Sequence, residues 1–88
     1  METSKQYRLL KLAFENGTIR RMNDIQGIVP ITVLAEDMEL NYNTLCKRLL
    51  DPGKLTVTDI VHLSGLTGMM PETLFEYVAA EIEKYNLY

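Results

Sequence analysis

The stretch that decides the fold is ITVLAEDMELNYNTLCKRLL, residues 31–50. Its first half has apolar residues at positions i, i+3, i+4 and i+7, the spacing of a helix with one buried face: Ile31, Leu34, Ala35 and Met38. Asn41 is a residue type that often begins a helix, and Leu45 and Leu49 follow it one turn apart on one face. The pattern predicts two short helices separated by about three residues, 39–41.

The predicted corner between these helices has a small residue and an apolar residue where a close crossing needs them. Ala35 allows the second helix to approach the first, and Leu40 fills the corner. The space beneath would be filled by Leu34, Met38, Leu45 and Leu49. These features predict a helix-turn-helix unit over about residues 31–50, in which the first helix supports the second.

Helix start and stop signals divide the chain before this unit. Thr3 or Ser4 can begin a first helix, and Asn16-Gly17 can end it. The predicted inner face of that helix consists of Tyr7, Leu9, Leu10, Ala13 and Phe14. Residues 18–29 leave two interpretations open, a short helix or an irregular packed stretch. Pro30 biases the residue before it towards an extended conformation, which predicts a boundary there.

Similar signals follow the unit. The turn sequence Asp51-Pro52-Gly53 ends the second helix near Leu50, and Thr56 with Asp59 forms a capping-box pattern for another helix. That helix would have Val57, Ile60 and Leu63 inside and end at Gly68. Pro71 suits the start of a last helix, whose stripe is Leu74, Val78, Ile82 and Tyr85. No segment alternates long enough for a sheet, so the prediction is one all-α domain, residues 1–88, a compact bundle of about five short helices.

Composition limits the class of protein. The chain has 88 residues, 47% of them hydrophobic, which suits one folded domain with a modest core. No uncharged stretch reaches the ~18 apolar residues of a membrane span, and the start METSKQYR has no apolar region typical of a secretory signal. One Cys and one His are too few for a disulfide or a structural zinc site. We therefore expect a cytoplasmic protein with no cofactor and no membrane partner.

The formal net charge of −3 is unevenly distributed. Residues 1–21 carry five cations against two carboxylates, and residues 40–54 carry three cations against one carboxylate. Residues 72–88 are acidic, with four glutamates against one lysine. Exposed charges more than about 10 Å apart are largely screened at 0.1 M salt. A polyanion would respond to the local potential, so the net charge does not exclude nucleic acid.

The pattern of the central unit resembles the Cro and phage-repressor type of helix-turn-helix domain, also described as lambda-repressor-like or XRE-type. The matching features are Leu34-Ala35, the four-residue spacing to Leu40, the polar cap Asn41, and Leu45. Helices near Thr56 and Pro71 match the rest of such a domain, so the resemblance covers roughly residues 30–85. It is greatest to small repressor-type proteins of phage and mobile elements, whose recognition helix ends in a turn containing Asp-Pro.

The resemblance implies a sequence-specific DNA-binding protein, a transcriptional regulator of bacterial or phage origin, whose recognition helix over about 42–50 enters the major groove. The family's base-reading positions fall on Tyr42, Asn43 and Lys47. Asn can bind adenine with two hydrogen bonds, and Lys can reach guanine or a phosphate. The other residues expected to face DNA are Thr32, Asn41, Thr44, Arg48 and Lys54. Because one module buries little area, a homodimer on a pseudo-palindromic operator is expected.

Three residues depart from the family pattern. Ile31 stands where many relatives use Gln to bind a phosphate, so that contact is not expected here. Glu39 stands where many have Gly, and a left-handed Glu would cost roughly 1 kcal/mol relative to Gly. Arg48 occupies a position that is often apolar, so Leu49 is expected to take the core position.

Two simpler interpretations remain open. Asn and Thr are common at helix starts, and Lys-Arg can be a solvated face. The rival function is a protein-interaction module that uses the acidic C-terminal helix. That helix and the ending Leu87-Tyr88, together with Phe75 and Tyr77, are also the predicted dimer surface.

No enzyme is predicted, because neither Cys46, nor His62, nor the carboxylates of residues 36–39 have a partner group for acid–base or nucleophilic work.

Overall fold

The computed structural model describes residues 4–85, and no strand occurs in that range. Five α-helices follow one another: α1 Lys5–Glu15, α2 Ile31–Asp37, α3 Tyr42–Leu50, α4 Val57–Thr67 and α5 Pro71–Tyr85. Two short 3-10 segments, Met22–Gly27 and Pro52–Lys54, precede α2 and follow α3. The predicted all-α class with about five short helices is confirmed. The segment whose conformation the sequence left open between α1 and α2 is a 3-10 turn with Met22 and Ile25 buried.

The helix boundaries lie where the capping residues predict them. Ser4 accepts a hydrogen bond from the Tyr7 N–H at 3.3 Å and begins α1, while the alternative cap Thr3 lies outside the described residues. Thr56 and Asp59 form the predicted capping box at α4, each side chain accepting from the other's backbone N–H at 3.0 Å. Gly68 closes α4 in the left-handed conformation, φ +78°, which glycine adopts without steric cost.

The core is built from residues of all five helices and of the first 3-10 segment. Its largest fully buried side chains include Phe14, Leu10, Met22, Ile25, Leu34, Leu45, Leu49 and Leu74. Two residues predicted to face inward are exposed instead, Leu9 on α1 and Val57 on α4. Helical periodicity predicts which residues share a face, but the neighbouring elements decide how wide an arc they cover, and both residues lie beyond that arc.

The C-terminal helix is tied to the N-terminal half by polar contacts. The Glu81 carboxylate is buried and accepts a hydrogen bond from the Met22 N–H at 2.6 Å. Burial raises the pKa of Glu81 above its ordinary value, and the hydrogen bond from Met22 offsets part of that shift. The Tyr77 hydroxyl donates to the Phe14 carbonyl at 3.0 Å. The residues predicted to form a dimer surface differ in exposure. Phe75 is exposed and Tyr77 is half-buried, while Leu87 and Tyr88 lie outside the described residues.

Candidate nucleic-acid interface

Helices α2 and α3 pack against each other and are joined by a four-residue turn, residues 38–41. The Leu40 N–H donates to the Ala35 carbonyl at 2.9 Å, and the Glu39 N–H donates to the Glu36 carbonyl at 3.1 Å. This pair of bonds, with a left-handed residue between, is a Schellman motif, which satisfies carbonyls at a helix end. Leu40 packs against the core as the corner residue that the sequence predicts. The turn therefore fixes where α3 begins relative to α2.

Glu39 is the single non-glycine residue with positive φ among residues 4–85, at +56°. An L-residue pays a steric cost in this region, because its Cβ approaches the following carbonyl oxygen. Glu39 therefore adopts the left-handed conformation whose cost was considered for this position from the sequence. The strain lies in the turn that sets the start of α3.

Replacing Glu39 with glycine is expected to stabilise the fold by about 0.5–1 kcal/mol, because the left-handed strain is lost. The entropy that glycine adds to the unfolded chain opposes this gain but is smaller. Thermal and urea unfolding measure the change. Glu36→Gly is the matched control, since Glu36 is exposed within α2 and its replacement should destabilise by about 1 kcal/mol. Equal losses of stability in both variants would contradict the strain at Glu39.

Helix α3 has a buried side and an exposed side. Leu45 and Leu49 are buried against the core, as predicted. On the opposite side Asn43 and Lys47, four residues apart, are both exposed and neighbours on the helix surface. Tyr42, also exposed, lies beside them in the first turn. The structure therefore brings the three predicted base-reading residues to the solvent side of the N-terminal half of α3.

Asn41 begins α3 as the N-cap. Its side-chain oxygen accepts from the Asn43 N–H at 2.9 Å, which satisfies one of the free N–H groups at the helix start. The side chain is exposed, but its oxygen is engaged within the chain. Its amide nitrogen is the group left to contact a ligand.

Arg48 links α3 to α4. Its Nη1 donates to both carboxylate oxygens of Asp59, at 3.0 and 2.8 Å, and Asp59 is buried. Asp59 also accepts from the Thr56 N–H, so one carboxylate caps α4 and holds α3. Sequence reasoning assigned Asp59 to the cap alone and Arg48 to a phosphate. Because Nη1 is occupied by Asp59, a phosphate contact would fall to the other guanidinium nitrogens.

The remaining residues predicted to face DNA lie on α3 and on the elements before and after it. Thr32 is exposed in the first turn of α2, Lys54 is exposed in the second 3-10 segment, and Thr44 is half-buried on α3. Among the other cations, Arg21 lies against α5, with its guanidinium carbon 3.7 Å from the centre of the Tyr85 ring. The neighbouring Arg21 guanidinium lowers the pKa of Tyr85 below its ordinary value. Arg21 is thus engaged in a stacking contact at the end of α5.

Residues 4–85 contain neither a candidate metal cluster nor a helix able to span a membrane. No three side chains of His, Cys, Asp or Glu come close enough together there to bind a metal ion. Within the same range, every helix is too short or too polar to cross a membrane. No family model, curated protein or solved structure matches the chain. The candidate site is therefore defined by its own residues, the exposed side of α3 with its flanking polar groups.

Proposed function

We propose that this chain is a sequence-specific DNA-binding protein, a cytoplasmic transcriptional regulator of bacterial, phage or mobile-element origin, that reads double-stranded DNA with α3. The observation that carries the proposal is the pair Asn43 and Lys47, exposed one turn apart on a helix whose other side is fixed by Leu45 and Leu49. A rigid helix with polar side chains on its free side is what major-groove reading requires.

Each residue of this side has a chemical role in the proposal. The Asn43 amide nitrogen donates to adenine N7, and its amide oxygen accepts from the adenine N6 amino group. Lys47, one turn later, donates to guanine oxygen and nitrogen acceptors or to a phosphate. Tyr42 packs against a thymine methyl or donates its hydroxyl to a phosphate. Phosphate contacts come from Thr32, Thr44 and Lys54, with Asn41 and Arg48 contributing the donors left free by their internal bonds.

Assembly on DNA follows from the small size of one module. A single recognition helix buries little area, so two copies on a pseudo-palindromic operator, with half-sites about 34–36 Å apart, give a longer and stronger site. The C-terminal helix α5 supplies the homodimer contact in this proposal, with Phe75 as its exposed aromatic residue.

The rival function, a protein-interaction module without DNA binding, is favoured by one observation. An apolar groove between α4 and α5, lined by Val57, Val61 and Phe75, is open to solvent. Exposed apolar surface of this kind often binds another protein. No residue of α3 lines this groove, so the two functions can be tested with separate substitutions.

Titration of a fluorescent DNA duplex tests the proposed function. Because the positive charge is modest, non-specific binding should be no tighter than ~10⁻⁴–10⁻⁶ M at physiological salt and should strengthen as salt is lowered. A flat titration at about 50 mM salt would contradict the DNA-binding function and favour the protein-interaction module.

A further inference from the structure

A groove of about 480 Å³ runs between α4 and α5. The nearly buried Ile60 forms its floor. Its walls are apolar residues with large exposed fractions: Val57 at 75%, Val61 at 51% and Phe75 at 55%. Hydrophobic side chains exposed singly are ordinary on a protein surface, but three that line one concavity form a binding surface.

The rim of this groove is acidic. Glu72 and Glu76 line it from α5, four residues apart and both exposed. The one salt bridge within residues 4–85 joins Arg48 to Asp59, so neither rim carboxylate is paired by a cation in that range. An occupant of the groove should therefore combine an apolar ridge with positive charge.

The outer face of α1 has this combination. Lys5, Arg8, Leu9 and Leu12 occupy positions i, i+3, i+4 and i+7, which fall on one side of a helix. Leu9 is 48% exposed and Leu12 is 56% exposed, although α1 buries its other leucine, Leu10, completely. Lys5 and Arg8 are exposed beside them. No element of the described chain covers this ridge.

We propose that the outer face of α1 in one copy of this chain docks into the α4–α5 groove of a second copy. Leu9 and Leu12 enter the groove between Val57, Val61 and Phe75, in the manner of an amphipathic helix bound by its i, i+3 and i+7 residues. Lys5 and Arg8 then face the carboxylates of the rim. The contact accounts for two exposed apolar surfaces and two exposed charge clusters of opposite sign at once.

The occupant comes from another copy because α1 is already used within its own chain. The inner face of α1 packs against α4 and the core, so the outer face points away from its own domain. One helix in one groove buries a modest area, which places the association in the weak class below about 1,200 Å². The two surfaces differ, so the contact is heterologous and each copy offers one donor face and one acceptor groove. It is distinct from the two-fold α5 contact proposed for the operator-bound pair, and because both contacts use Phe75, one copy's α5 makes only one of them at a time.

A mixing experiment tests the pairing of these surfaces. One variant, Leu9→Glu with Leu12→Glu, keeps the groove and loses the ridge. The other, Val61→Glu with Phe75→Glu, keeps the ridge and loses the groove. Sedimentation velocity over about 10–500 μM should show association of the parent, two monomeric variants, and restored pairing in an equimolar mixture, because the mixture contains one intact ridge and one intact groove. The mixture should stop at two molecules.

Charge reversal gives a second and milder test. Lys5→Glu with Arg8→Glu, or Glu72→Lys with Glu76→Lys, should weaken association by roughly tenfold or more, and the four changes combined in one chain should restore it. All these positions are exposed, so circular dichroism and melting should match the parent. The proposal is wrong if the parent is monomeric throughout, if the mixture stays monomeric, if either variant pair associates like the parent, or if the combined reversal does not recover.

Discussion

Replacing Arg48 with alanine is expected to lower the free energy of unfolding by about 2–3 kcal/mol. The change leaves the buried Asp59 carboxylate without the cation that contacts both of its oxygens. Removing one member of a fully buried ion pair costs about 3–5 kcal/mol. The Arg48 side chain keeps 26% of its surface exposed, so water compensates part of the loss. The lower figure also reflects the Thr56 N–H, which still binds Asp59.

Urea unfolding of four proteins measures this effect: the parent, Arg48→Ala, Asp59→Ala and the double variant. In the Asp59→Ala background, the further loss of Arg48 should cost much less, because its partner is already gone. Lys47→Ala is the matched control on the same helix, and it should change stability by no more than about 0.5 kcal/mol because Lys47 is exposed. If Arg48→Ala costs the same in both backgrounds, the ion pair contributes nothing to the fold.

The second large effect concerns DNA binding. If the Asn43 amide reads a base edge, Asn43→Ala should lose roughly 1–3 kcal/mol of affinity at the preferred site and relax sequence choice at one base pair. If Lys47 mainly contacts a phosphate, Lys47→Ala should weaken binding to all sequences alike and reduce the salt slope by about one unit. Both side chains point away from the Leu45–Leu49 side, so neither change opens a cavity.

Equal melting temperatures of the two variants and the parent establish that binding, and not folding, is measured. Alanine is a better helix former than asparagine, so stability should change little at position 43. Arg20→Ala is a matched charge control, because it removes one exposed cation outside α3. If Lys47→Ala proves sequence-dependent, Lys47 reads guanine and its role changes. If both variants bind like the parent, α3 does not read DNA.

Local signals in the sequence predict most of the fold. Ser4, Thr56 with Asp59, and Gly68 mark helix ends because capping depends on residues within a few positions of each other. The buried positions of α2 and α3 follow from helical spacing in the same way. The left-handed conformation of Glu39 was suggested by the resemblance alone, which places Glu39 where many domains of that type have Gly.

The parts that the sequence did not predict depend on distant contacts. Asp59 lies 11 residues from Arg48, and Glu81 lies 59 residues from Met22, so no local pattern pairs them. For the pair of Arg48 and Asp59, the available signal was that Arg48 stands where domains of the resembled type often have an apolar residue. The exposure of Leu9 and Val57 could not be predicted either, because it depends on which neighbouring elements cover each helix.

The candidate site was predicted to the extent that helix spacing determines a face. Spacing places Asn43 and Lys47 opposite Leu45 and Leu49, and both are exposed. Spacing cannot predict that a side chain is already engaged within the chain. For that reason Arg48, predicted as a phosphate contact, was not foreseen as the link between α3 and α4.

Selection of bound duplexes from a random DNA library, run at two salt concentrations, tests the central claim most directly. Our account predicts enrichment of one short sequence, arranged as two inverted half-sites if two copies bind together. The enriched sequence should be the same at both salt concentrations, because bases determine it, while the amount of DNA bound falls at the higher salt. Recovery of unenriched sequences at both concentrations would contradict the claim that this protein reads DNA.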